Sequence, residues 1–130
     1  MVVREPTTTA LLRGRSWFDD MAWERAKGAL LESAESAPLE TDDLDRLAVA
    51  AFMSGDSGTS VEAWAQAHRI ALDKADPELA VRFAFWICFV LGNQGDAARA
   101  GGWLARAHKL ADELDEESAA TGFVLLPEAA

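Results

Sequence analysis

The chain reads as all-α, and three observations predict it. No segment alternates apolar and polar residues for long, and β-branched residues are scarce. Alanine, leucine and glutamate dominate instead, and all three favour helix. The breaks between apolar-periodic stretches fall at helix start and stop signals. They divide the chain into six helices, at about 7–18, 20–35, 42–54, 60–75, 77–92 and 97–115, with a seventh expected from about 118. At 130 residues this is one domain, 1–130.

Each boundary has a physical reason. The first two helices meet at Asp19-Asp20. Pro38 closes the second, because proline cannot continue a helix and restricts the residue before it. Thr41-Asp42-Asp43 opens the third, with acids at the positive end of the helix dipole. Gly55-Asp56-Ser57-Gly58 forms a turn, after which Thr59 and Glu62 read as a capping box for the fourth helix. Asp76-Pro77-Glu78 combines a cap oxygen, a first-turn proline and an acid, a strong start for the fifth. Gly92 and Gly95-Asp96 mark the turn into the sixth. The acid pairs Asp19-Asp20 and Asp42-Asp43, and the tail Asp115-Glu116-Glu117, fit capping and a solvated face better than acid–base catalysis.

The helices repeat in pairs. Gly14, Ala48 and Cys88 form one column of equivalent positions, and Trp17, Ala51 and Leu91 a second. Ala26, Ser60 and Ala100 form a third, Leu30, Trp64 and Leu104 a fourth, and Ser33, Ala67 and Ala107 a fifth. The spacing is 34 residues from first to second unit and 40 from second to third. Small residues at 26, 60 and 100 let the second helix of each pair approach the first. One turn later a large side chain fills the space.

In these columns, in Trp23 and Pro38, and in the turn pairs Gly55-Asp56 and Gly95-Asp96, the chain resembles the tetratricopeptide repeat. Arg13 departs from that pattern, standing where an apolar residue is expected, and the second unit is about six residues too long. The resemblance implies a right-handed α-solenoid of about three tetratricopeptide-like hairpins, at 7–38, 41–75 and 76–116. An incomplete further repeat, 117–130, would supply the seventh, C-terminal helix. Residues 64–70 (WAQAHRI), 76–96 and 101–110 (GGWLARAHKL) are similar, more narrowly, to the repeat region of actinobacterial LuxR-type transcriptional regulators. No part of the chain matches their helix-turn-helix. That resemblance implies at most a regulatory or scaffolding repeat domain cut from, or having lost, its output end. Solenoid ends need a polar face, so the apolar segment at 121–127 either caps the third hairpin, docks on another chain, or belongs to a natural chain that continues, and continuation is the expectation.

Charge narrows the partners. Lys and Arg number 12 against 22 Asp and Glu, a net charge of −10. A sequence-independent grip on nucleic acid, or on an anionic membrane, needs a basic face instead. Residues 1–10 lack the apolar core of a signal peptide. The longest apolar stretch, 79–91, has 13 residues where a span needs about 20. One cysteine, Cys88, cannot staple the fold and reads as a small core residue. The expected location is cytoplasmic.

Chemistry is sparse. His68 and His108 occupy equivalent positions 40 residues apart, without second ligands at metal-helix spacing. Gly101-Gly102 lies inside a helix and reads as a close helix contact rather than a phosphate loop. No catalytic set, metal site or cofactor is expected, and the tryptophans read as packing between helices. Stretch 79–91, with Arg82 its sole charge, reads as a helix covered on most sides.

The resemblance does imply a groove, lined by the first helix of each hairpin. Leu11, Arg15 and Phe18 would come from the first hairpin. Asp42, Asp45, Val49, Phe52 and Met53 would come from the second, and Arg82, Phe85, Phe89 and Asn93 from the third. The expected binding set is Arg15, Phe18, Phe52, Met53, Arg82, Phe85, Phe89 and Asn93. An apolar floor of this kind suits an amphipathic helix or apolar segment. The occupant would be a protein or peptide, a second copy, or later parts of the same chain. The alternative is an effector-sensing domain holding a small apolar ligand near Phe52, Phe85 and Phe89.

Overall fold

A computed structural model describes the backbone of residues 4–120 and the side chains of residues 9–115. Among these the protein is all-helical: α1 (Arg4–Asp19), α2 (Trp23–Ser36), α3 (Thr41–Met53), α4 (Ser57–Asp73), α5 (Pro77–Asn93) and α6 (Ala97–Ala120). The expected break before 118 does not occur. α6 runs through to Ala120, and the remainder of the expected seventh helix lies outside the described residues.

One turn geometry recurs four times. The second residue after the helix sits in the left-handed region at Met21, Gly55, Ala75 and Gly95. The next N–H then reaches back to the carbonyl of Trp17, Ala51, Ala71 or Leu91, at 2.7–2.9 Å. Such a return bond satisfies a carbonyl that the helix end leaves without a partner. Glycine adopts this conformation freely, whereas Met21 and Ala75 hold it at a cost of about 1–2 kcal/mol each. At three of these turns an aspartate caps the following helix. Asp56 accepts from the Thr59 N–H, Asp76 from that of Leu79 and Asp96 from that of Arg99.

These caps correct two expectations. Asp56, not Thr59, is the cap of α4, and the helix begins three residues earlier, at Ser57. The Thr59 hydroxyl donates to Asp56 at 2.7 Å, so it serves the cap instead of forming it. Asp19 and Asp20 cap nothing: Ala22 stands at the start of α2, without a side-chain cap bond.

Helices adjacent in sequence pack on one another, and α1 also touches α3. The core runs through the whole series: Leu30, Leu39, Leu44, Leu47, Trp64, Phe83, Ile87, Val90 and Leu91 form one buried cluster. Many of the residues aligned in the sequence columns are buried, in this cluster or beside it. Ala26, Ser60 and Ala100 are buried, as are Ala48, Ala51 and Leu91, and Ser33, Ala67 and Ala107. Gly14 is where small size matters most. A Cβ there would lie 2.8 Å from the Leu30 side chain, itself fully buried. Gly101 and Gly102 behave otherwise: a Cβ at either meets nothing within 4 Å, so they mediate no close helix contact. Cys88 is half-buried at the edge of the core.

Two further corrections bear on function. Asp43, expected on a solvated face, is 2% exposed. α5 is covered on its other sides but leaves Phe85, Trp86 and Phe89 exposed on one face, where the tryptophan was expected to pack between helices. No helix among the described residues is long and apolar enough to cross a membrane.

Candidate functional site: an aromatic cleft between α3 and α5

Helical spacing sets the two walls. Asp45, Val49 and Phe52 follow one another at i, i+4 and i+7 on α3, and Trp86, Phe89 and Val90 lie within about one turn on α5. Together with Trp64 of α4 they line a cleft of about 300 Å³. The rings form a continuous chain. Phe85 meets Trp86 at 6.3 Å between centroids, and Trp86 stands perpendicular to Phe89 at 5.7 Å. Phe89 reaches across to Phe52 at 6.0 Å. Behind them Trp64 stacks on Trp86, also at 6.0 Å, with 18° between planes. Edge-on and offset contacts of this kind are the preferred aromatic geometries.

Exposure separates support from surface. Trp64 is 4% exposed and belongs to the core, its indole N–H donating to Asp45 at 2.7 Å. Phe85, Trp86 and Phe89 are 54%, 39% and 47% exposed. Isolated exposed apolar side chains are ordinary; three rings in mutual contact, beside a cleft, are a patch.

Of the groove residues expected from sequence, Phe52 and Phe89 line this cleft together with Asp45 and Val49, and Phe85 extends it through Trp86. Met53, Arg82 and Asn93 are exposed on the same two helices but do not line it. Phe18 packs edge-on against Trp23 at 5.4 Å, within the α1–α2 pair. Arg15 lies at another joint. Its Nε and Nη2 donate to the two oxygens of Asp43, at 3.0 and 2.8 Å, and Arg46 donates to Asp43 at 2.8 Å. Burial pushes the Asp43 carboxyl up, but the bonds and charges of Arg15 and Arg46 outweigh it and hold the carboxyl below the usual carboxylate range. The bond to Asp43 likewise raises Arg15.

Sequence reasoning assigned Trp86 to packing, and it is instead the centre of the exposed chain of rings. The signal was present: Trp86 stands four residues after Arg82 and three before Phe89, on the stripe already chosen for the groove.

The histidines do not form a joint site. His108 is exposed. His68 is 3% exposed, and its Nδ1–H donates to the Ala80 carbonyl at 2.8 Å. Its ring meets Trp103 edge-on at 5.2 Å. Burial lowers the His68 pKa, the Ala80 carbonyl opposes that, and the nearby charges of Arg106 and Arg69 add to it. Among the described residues, no three His, Cys, Asp or Glu side chains are grouped so as to hold a metal ion.

No family model matches this chain, and no curated protein or solved structure is detectably similar to it.

Proposed function

We propose that this chain is a protein-interaction module that receives an amphipathic helix or apolar segment on the α3–α5 face. The observation that carries the reading is the contiguous exposure of Phe85, Trp86 and Phe89 beside a cleft of about 300 Å³. Aromatic anchors clustered around a depression are the usual centres of binding energy in helix-in-groove recognition. The reading includes the finer architecture, a right-handed α-solenoid of about three tetratricopeptide-like hairpins. The recurring turn and the burial of two of the columns, at 26, 60 and 100 and at 33, 67 and 107, support it. On the resemblance to LuxR-type regulators, the module is the regulatory or scaffolding repeat domain of a bacterial transcriptional regulator, acting in the cytoplasm without chemistry of its own.

Selection from a displayed library of helical peptides tests this. Enriched peptides should carry apolar anchors at i, i+3 or i+4, and i+7. A Trp86→Ala/Phe89→Ala double variant should lose at least about tenfold in affinity for them. The variant also gives up ring contacts to Trp64, Phe85 and Phe52, so its urea midpoint should fall, and far-UV circular dichroism verifies that the protein compared is folded. No enrichment, or equal binding by the double variant, would remove the reading.

The almost wholly apolar lining of the cleft favours a second reading, an effector-sensing domain that takes a small apolar ligand there. About 300 Å³ lies at the small end of ligand sites. Such a ligand would change Trp86 fluorescence in a metabolite panel, and a flat response across the panel excludes this alternative.

A further inference from the structure

The cleft is apolar except for one carboxylate, that of Asp45. One Asp45 oxygen accepts the Trp64 indole N–H. No Lys or Arg among the described residues pairs with this carboxylate; Arg46, its neighbour in sequence, pairs with Asp43 instead. A half-buried carboxylate against aromatic rings favours a counter-charge. The rings around it have the matching character, since a ring face is negative and draws a cation lying within about 6 Å of its centroid. Phe52, Trp86 and Phe89 meet at angles of 57° and 90°, so their faces do not all point the same way, and they bound a space rather than a flat stack. The net charge of −10 adds a long-range pull on a basic partner. Arg82, one turn before Trp86, is exposed and does not line the cleft, so its charge is met by water.

Resting on the docking reading above, we propose that this cleft receives the cationic head of a lysine or arginine side chain carried by the docked partner. The surroundings favour a side chain over a free amine. Phe85 lies outside the cleft and is more than half exposed. A small amine would leave that ring in water, whereas a helix with apolar residues one turn from its basic residue covers both.

The test uses side-chain analogues on the full chain, followed by the NMR resonances of the Trp64 and Trp86 indole N–H groups. The probes are n-butylguanidinium, n-butylammonium, tetramethylammonium and, as the neutral match, n-pentanol. The two side-chain analogues should bind about tenfold more tightly than n-pentanol. Asp45→Asn should erase most of that margin and leave n-pentanol binding unchanged. Asparagine keeps an oxygen to accept the Trp64 N–H, so the fold is retained, and an unchanged urea midpoint verifies this. If n-pentanol binds as tightly as the cations, the cation assignment falls while apolar docking stands. Tightest binding by tetramethylammonium would assign the cleft to a free quaternary amine and overturn the side-chain source. If no probe shifts either resonance, the cleft is no binding site for such groups and the inference falls; the peptide selection then decides the docking reading separately.

Discussion

Where α1 meets α3, a buried carboxylate holds two guanidinium groups; where α3 faces α5, rings meet around an open cleft. The first joint is closed by Asp43, Arg15 and Arg46, whose hydrogen bonds, at 2.8–3.0 Å, satisfy both carboxylate oxygens. The second joint has Asp45 in place of Asp43, bonded to an indole N–H, and Phe52 and Phe89 in place of the ion pairs. Two carboxylates two residues apart on one helix thus have different roles. Asp43 is sealed into a structural latch and has no capacity left for a ligand. Asp45 is only half-buried and borders open space. The lesson is one of assignment: a stack of similar helices can close one joint with charge and keep the next available for recognition.

The largest expected effect comes from breaking the latch. Asp43→Ala leaves two arginines without their common partner and should cost about 2 kcal/mol in urea unfolding. That is less than a fully buried pair would cost, because both arginines reach solvent. The α3–α5 rings should keep their geometry, so indole fluorescence of the folded variant should match the parent. A variant losing both signals together would mean that the joints are one cooperative unit.

Next comes a steric probe of the neighbouring α1–α2 contact. Gly14→Ala puts a methyl group 2.8 Å from the buried Leu30 side chain, immediately before Arg15 in sequence. Overpacking of this kind costs about 1–3 kcal/mol, and the better helix propensity of alanine returns about 1. Net destabilisation of about 1 kcal/mol is expected. Gly102→Ala, which meets open space, should instead stabilise by up to about 1 kcal/mol. Equal effects of the two substitutions would deny Gly14 its packing role.

The smallest effect concerns pH and separates the regions again. Burial depresses His68, which lies where α4 meets the start of α5 and Trp103 of α6, so the folded state prefers the neutral ring. Its contribution to stability is complete above the ordinary histidine range and declines as pH falls through and below it, because the unfolded chain binds the proton more readily. Asp43 is a carboxylate with a depressed pKa, so its contribution is complete above the ordinary carboxylate range and declines as the pH falls from that range through the folded-state value. Urea midpoints from pH 8 to pH 3 should therefore decline in two windows. His68→Asn should flatten the upper one and leave the lower. A single decline, unaffected by that substitution, would contradict the assignment.

The helices and most of their ends were legible in the sequence because their causes are local. Composition favours helix, Pro38 stops one, and Asp76-Pro77 starts another. Which residues share a helix face was legible too, since spacing along a helix fixes it. The aspartate cap at 56 was harder to see, because Thr59 and Glu62 offered an equally good local pattern and the preceding turn decided between them. Half of the site was readable in the same way: Phe52 and Phe89 lie on the stripes that helical periodicity selects.

Sequence alone thus determined an all-helical chain with apolar stripes at known positions. Tertiary structure alone decided which stripes were covered. Asp42 and Asp43 are indistinguishable as adjacent acids, yet one is exposed and the other buried, because α1 brings Arg15 to Asp43 across 28 residues. Trp64 and Trp86 are equally apolar, yet one is core and the other surface, because what covers a ring depends on the helices beside it rather than on its own neighbours in the chain. Burial and charge pairing are properties of distant residues meeting, and local spacing carries no information about them.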